Sequence, residues 1–229
     1  PAFVRALAVA DGTAPERSDI TERLAASVYR QAEAKRKAGD ESGAADDFLR
    51  VAAVAPASKV VATAQYDAAA ALVNTKQWVR AIAVLETYRR DYPKSEYAPE
   101  VTRKLAVAYV EAGMSAQAAG EFERIAAVPN EEPAVVREAL ARAADLHQAA
   151  GNGARSVAMR EQLVQRFPTP VADAIETRAR LADLALKSAN VERQRYWQNE
   201  IVKADATAGA GRTDRTRFLA ATARLAQVM

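Results

Sequence analysis

Cysteine is missing altogether, and histidine occurs once in 229 residues. The first absence excludes thiol catalysis, thiolate metal sites and a disulfide scaffold, while leaving the compartment open, since cysteine-free chains occur in reducing and oxidising spaces alike. The second excludes His-based triads and multi-His metal centres. Glycine and proline number nine each, too few for a many-turned all-β chain. No apolar run approaches the roughly 18 residues of a membrane span. The first ten residues, with Arg5 inside a short apolar stretch and no initiating Met, do not read as a signal peptide, and a processed or excised fragment is expected. Charge of one sign is lacking too, because 32 basic and 29 acidic residues are mixed along the chain and leave a net charge of +3. Such mixing gives little pull on a polyanion.

What is abundant is alanine, about a quarter of the chain, on a background rich in Leu, Arg and Glu, with 50% hydrophobic residues overall. That composition favours helix and is far too apolar for disorder. An all-α fold follows. Self-similarity then organises it: AKRKAGDESGAADDFLRVAAVAP at 34–56, LVNTKQWVRAIAVLETYRRDYP at 72–93 and AYVEAGMSAQAAGEFERIAAVP at 108–129 end alike. Each has a helix-ending turn, then a small residue, then two large apolar residues at helical spacing. The turn residues read Gly39, Lys76, Gly113, Gly151 and Ala189, a period of 37 to 38 residues. Apolar or small residues recur before each turn, as in Ala68, Ala69 and Leu72 or Leu105, Ala106 and Tyr109. Facing stripes follow each turn, as in Ala44/Phe48/Val51, Ala81/Leu85/Tyr88 and Ala118/Phe122/Ile125. Each unit is therefore a helix-turn-helix hairpin.

Helices are expected near 2–10, 19–38, 41–54, 58–74, 77–91, 95–112, 115–127, 132–150, 153–166, 170–188, 191–206 and 214–228. The rest of residues 1–18 reads as a polar loop. Asp19 with Glu22 reads as a capping box, Thr169–Pro170 as an N-cap followed by a first-turn proline, and Pro93–Lys94–Ser95 as a turn between hairpins. Ser156 and Arg160, and later Gln194 and Gln198, stand where a small and a large apolar residue are expected. Met159 and Trp197 stand one position early, which predicts that these two second helices are rotated or shifted. In the last helix Phe218, Ala221, Thr222 and Leu225 continue the buried stripe of a first helix, which predicts a capping helix or a truncated sixth hairpin.

Small residues at Ala69, Ala106, Ala144 and Ala182, the glycine-like turns, the alanine after the first three turns and the proline near the end of the first four units carry a family resemblance. The chain resembles the tetratricopeptide repeat family over about 25–206. The resemblance implies an α-solenoid, a right-handed superhelix of five to six hairpins, bounded as 25–61, 62–98, 99–136, 137–174 and 175–206. An N-terminal helix and loop at 1–24 leads into it, and a linker with a final helix at 207–229 ends it. Residues 34–51 and 87–113 are similar to repeats of bacterial envelope proteins of the outer-membrane assembly lipoprotein and Tol–Pal coordinator type. A periplasmic or outer-membrane-associated setting is the matching expectation, with the cytoplasm as the alternative.

No catalytic constellation emerges, and no cofactor or metal is expected. His147 falls on the buried stripe and reads as a ring packed inside a hairpin. GNGARS at 151–156 and AGAGRTD at 208–214 precede helices, where backbone amides can hold phosphate, but neither follows a strand or forms a P-loop. The acid pairs Asp46–Asp47 and Glu131–Glu132 sit near helix starts, where they complement the dipole. The basic residues from Arg193 to Arg217 are interrupted by acids and lack interleaved aromatics, so no nucleic acid is expected. Direct membrane insertion is not expected either.

Surface recognition remains. A second face of the first helices lies well away from the buried stripe on the helical wheel, and the resemblance implies that it lines the concave groove. It reads Tyr29, Glu33 and Arg36, then Tyr66, Ala70 and Val73, then Arg103, Val107 and Val110, then Asp145 and Gln148, then Asp183 and Leu186. Ala70 and Val107 stand where a carboxylate clamp would need polar residues, so that ligand is not carried over. Tyr29, Glu33, Tyr66, Val73, Arg103, Val107, Val110 and Asp145 are the candidate partner-binding residues. The competing explanation for the apolar members is packing between adjacent first helices. A protein or peptide partner is expected, with self-association into a homodimer, or a spacer role in a larger machine, as the rivals.

Overall fold

The computed structural model describes residues 14–228, and every regular element among them is helical. The helix expected at 2–10 lies outside the described residues. The helices are α1 (Ala14–Lys37), α2 (Glu41–Val54), α3 (Val61–Asn74), α4 (Trp78–Asp91), α5 (Ala98–Glu111), α6 (Ser115–Ala126), α7 (Pro133–Ala149), α8 (Gly153–Arg166), α9 (Val171–Lys187), α10 (Val191–Thr207) and α11 (Asp214–Val228). A single 3₁₀ turn, Gly209–Gly211, precedes α11. The helices follow one another as about five helix-turn-helix pairs.

The turns explain the regularity. Gly39, Lys76, Gly113, Gly151 and Ala189 all take positive φ, at 84°, 57°, 72°, 79° and 54°. Each donates its N–H to the carbonyl three residues back, and the next residue donates to the carbonyl five back, as in Gly39 to Arg36 and Asp40 to Lys35. This is the left-handed C-cap that satisfies orphan carbonyls at a helix end. Asp40 and Asn190 then cap the following helices by accepting from the Gly43 and Arg193 amides. Lys76 and Ala189 fill a glycine place at a steric cost.

The chain divides into two compact units, Pro1–Met114 and Ser115–Met229. In the first, Leu24, Ala25, Val28 and Ala32 of α1, Ala44, Phe48 and Val51 of α2, and Val61, Ala64 and Ala68 of α3 form one buried cluster. Ala45, Leu72, Ala71 and Ala81 carry the packing on through α2, α3 and α4. Burying a side chain such as Phe48 or Leu72 contributes about 1.5–3 kcal/mol, and the alanines between them let the helices approach closely. In the second unit, Val164, Leu181, Ala182 and Trp197 join α8, α9 and α10. Ile175, Ile201, Ala220 and Ala223 join α9, α10 and α11.

Several local expectations are corrected. Residues 14–18 belong to α1 rather than to a loop, so Asp19 and Glu22 lie inside that helix and cap nothing. Glu22 instead accepts from Ser58 Oγ at 2.7 Å and from the Lys59 amide at 3.1 Å, tying α1 to the start of the next hairpin. Pro170, not Thr169, occupies the N-cap of α9, and the helix begins at Val171. The second helices α8 and α10 keep the register of the others, with Ser156, Arg160 and Gln198 buried in place. Ser156 is accommodated by donating to the Ala144 carbonyl at 2.8 Å.

The last helix departs further. The stripe Phe218, Ala221, Thr222 and Leu225 faces outward, with Phe218 and Leu225 69% and 68% exposed. The helix packs instead through Thr216, Leu219, Ala220 and Ala223, which lie on its opposite side at 100° per residue. Thr216 and Thr213 exchange bonds between hydroxyl and amide at the helix start, and Arg224 and Arg212 both reach Asp205 of α10.

Candidate protein-binding face

In the first unit, α1, α3 and α5 present seven of the eight candidate residues. Their framework is tied by a residue that the sequence did not single out. Asp67 of α3 accepts from the Tyr29 hydroxyl and, at 3.2 Å, from Arg36 Nη1, both of α1. Tyr29 also meets the Phe48 ring edge to face, with centroids 5.1 Å apart, and the Arg36 guanidinium lies over the same ring at 5.2 Å. Burial, followed by the hydrogen bond and charge of Asp67, pushes the Tyr29 phenol well above its ordinary range. Tyr29 is thus half-buried and its hydroxyl is already engaged. Glu33 sits beside the same group, 3.9 Å from Arg36.

Tyr66 is also held. Its ring stacks on Tyr97 at 4.4 Å and 17°, tilts against Tyr88 at 6.0 Å, and carries Lys104 Nζ at 5.8 Å from its centroid. Burial, then the neighbouring Glu100 charge, raises its phenol pKa. Val73 is half-buried against the cluster of Leu72 and Ala81, and Val110 is half-buried on α5. Arg103 is exposed, and Val107, one helical turn further along α5, is 48% exposed. The face is therefore mixed: Tyr29, Tyr66 and Val73 are packed between elements, while Val107 remains open beside Arg103.

Asp145 lies in the second unit, apart from those seven. It is exposed and holds Arg160 Nη2 at 2.8 Å and Arg180 Nη1 at 3.4 Å. Arg160 is buried where the three preceding second helices carry Phe48, Leu85 and Phe122. The acid therefore serves as the counter-ion of a buried arginine. The signal for that pairing was in the sequence, in an arginine at an apolar place with an acid on the preceding helix.

His147 is packed within its hairpin and bonded as well. Its Nε2 lies 2.5 Å from Glu123 Oε1, and Arg155 makes two further bonds to that carboxylate. Arg155 first, then His147, hold the Glu123 carboxyl below its ordinary value against the opposing effect of burial. Arg80 and Arg193 stand equally far after their own turns, and pair with Asp46 and Glu161 of the preceding second helices. The arrangement reads as repeat-to-repeat stapling. Among the described residues no group of three or more His, Asp and Glu side chains is placed to hold a metal ion. No helix among them is long and apolar enough to cross a membrane.

These features define an all-helical protein of helix-turn-helix repeats. Residues 63–95, which span most of α3, all of α4 and the turn after it, match the tetratricopeptide repeat family model. Proteins with this repeat generally mediate protein–protein interactions. The match is to the general repeat and does not single out the envelope type expected from 34–51 and 87–113. Among solved structures, the chain is similar to the nearly identical TPR-like repeats of a Podosopora anserina kinesin light chain. The two are 19% identical over 82% of this chain and 97% of that one, with a TM-score of 0.44. It is also similar to MamA from Desulfovibrio magneticus RS-1, 12% identical over 80% of this chain and 96% of that one, with a TM-score of 0.43. No curated protein matches the chain in sequence.

Proposed function

We propose that the chain is a non-enzymatic scaffold that binds a segment of a protein partner on the α1/α3/α5 face of its first unit. The observation that carries this reading is Val107, an aliphatic side chain left 48% exposed on α5, one turn from the half-buried Val110 of the same helix. Val107 and Val110 stand three residues apart on one helix and so form a short contiguous apolar strip, and contiguous apolar surface is the kind that marks interaction sites. The ties through Asp67 and the stacked Tyr66 and Tyr97 fix the surface before any partner arrives, which lowers the ordering cost of binding. Arg103 beside Val107, and Tyr66 at the edge, are residue types that become binding hot spots. The resemblance of 34–51 and 87–113 to envelope repeats supports a partner in the bacterial cell envelope.

The test compares the chain with Val107→Glu as baits in a lysate of the source cells, with retained proteins identified by mass spectrometry. The reading expects a protein held by the parent and lost from Val107→Glu, with helicity and melting unchanged. Retention unaffected by the glutamate retires this face. A second reading, self-association, is favoured by the outward stripe of Phe218 and Leu225 on α11. Light scattering over a concentration series supports it by a dimer mass that Phe218→Glu abolishes.

A further inference from the structure

Tyr66 and Ala141 hold the same place in their repeats: Tyr66 precedes its turn residue Lys76 by as many residues as Ala141 precedes Gly151. Around Tyr66 the first unit is filled. Tyr97 stacks on the ring, Tyr88 tilts against it, and Lys104 supplies a cation over it. At the matching places in the second unit stand Asp173 for Tyr97, Leu163 for Tyr88 and Arg180 for Lys104. The aromatic side chain is missing, and the cation remains.

The space that results is an open cavity of about 260 Å³ between α7, α8 and α9. Its apolar wall is Leu163, Val164, Phe167 and Ala174, with Arg137 and Arg180 among its charged residues. Phe167 lies where Tyr92 lies in the first unit, and the Arg137 guanidinium sits 5.1 Å over its ring. Arg137 is itself fixed, donating to the Thr169 carbonyl at 2.7 Å. Thr177 in the lining offers a hydroxyl group. An apolar cavity of roughly 150 Å³ is enough to hold benzene, so a phenol ring fits here with room for its hydroxyl.

We infer that this cavity takes one aromatic side chain, a tyrosine or phenylalanine, from a protein partner. The incoming ring occupies the place that Tyr66 fills from within the chain in the first unit. Charge complementarity selects the ring: Arg180, like Lys104 over Tyr66, is placed to lie against the electron-rich face of an aromatic group. Leu163, Val164 and Phe167 remove its edges from water. Asp173 and Glu176 pair with Arg137 at 3.7 Å and Arg215 at 3.0 Å, and Arg180 reaches Asp145 at 3.4 Å, so every charge of the lining already has an opposite partner and the mouth offers no isolated charge that would favour an ion over a neutral ring. The inference rests on the protein-binding reading for its source of the ring, and concerns a different surface from Val107.

The test uses p-cresol, the tyrosine side chain alone, titrated into the ¹⁵N-labelled full chain and followed by amide chemical shifts. The expected result is saturable shifts confined to residues near 137–141, 163–167 and 173–180, at millimolar concentration as befits so small a ligand. Ala141→Tyr supplies the ring from within, and those shifts disappear while the far-UV circular dichroism stays that of the parent. Ala141→Leu, a smaller plug, decides the matter should the tyrosine variant fail to fold: it weakens binding at least fivefold. Absent shifts, shifts scattered over the surface, or binding undiminished in the plugged variants overturn the inference. The Val107→Glu retention assay is independent of p-cresol, so the cavity and the α1/α3/α5 face can fail separately.

Discussion

Removing the Asp145 carboxylate isolates a buried charge. The Arg160 side chain is 8% exposed and Asp145 59%, and Arg160 Nε already lacks a hydrogen-bond partner. Breaking a fully buried ion pair by deleting one partner costs about 3–5 kcal/mol, whereas an exposed pair contributes about 0–1 kcal/mol. This pair is intermediate, with one member desolvated and the other washed by solvent. Asp145→Ala should therefore destabilise the second unit by about 1–3 kcal/mol, the cost of leaving a buried donor without its partner. Adding Arg160→Leu restores the apolar residue of the sister repeats and removes the stranded charge, so the double variant should recover most of the loss. Urea unfolding followed by Trp197 emission, in a Trp78→Phe background, reports on the second unit alone because Trp197 is buried against Leu181 and Val164. Asp145→Ala within about 0.5 kcal/mol of its parent, the ordinary scatter of surface substitutions, would refute the reasoning. A double variant as unstable as the single one would refute it equally.

The left-handed turns at Lys76 and Ala189 should tolerate glycine with a gain, since a non-glycine residue there costs roughly 1–2 kcal/mol and glycine's extra chain entropy takes back about 0.5–1 kcal/mol. Lys76→Gly and Ala189→Gly should each raise the melting temperature by a degree or more in calorimetry, and a fall in either would contradict the turn assignment. Tyr29→Phe should cost about 1 kcal/mol through the lost bond to Asp67, read from a denaturant curve of the whole chain, with Asp67→Asn costing a similar amount. The lowered pKa of Glu123 makes a pH prediction. Its folded value lies below the ordinary 4.5, so the unfolded chain takes up the proton first; the contribution is complete above 4.5 and is lost as pH falls through the folded value. Glu123→Gln should accordingly flatten the decline in stability between about pH 5 and pH 3, and an unchanged slope would show that the carboxylate is not held in this way.

Helix boundaries were legible because the punctuation is local. Glycines at 39, 113 and 151 and the period of the apolar stripe act within a turn or two of where they stand. Lys76 and Ala189 were legible only by period, since neither residue type announces a left-handed turn. What required three dimensions is what depends on a neighbour's shape. The sequence offers Phe218 and Leu225 as the more apolar face of α11, yet the face packed against Ile175 of α9 and Ile201 of α10 is that of Ala220 and Ala223. Asp19 and Glu22 have capping spacing, but the helix begins upstream and Glu22 is drawn to Ser58 one hairpin later. Arg160 and Ser156 looked like signs of a shifted helix because polarity was read without partners; Asp145 and the Ala144 carbonyl supply them. On the candidate face, the spacing placed residues on α1, α3 and α5. Asp67 went unremarked because its role appears only when Tyr29 and Arg36 arrive from another helix.

The central claim, a protein partner seated on α5 of the first unit, is tested most directly by photo-crosslinking from position 107. p-Benzoylphenylalanine placed there in the chain, expressed in its source cells, should give a discrete adduct on irradiation. The same group at Val79, a more exposed position on α4, should give none. Adducts of equal yield from both positions, or from position 79 alone, would contradict the account.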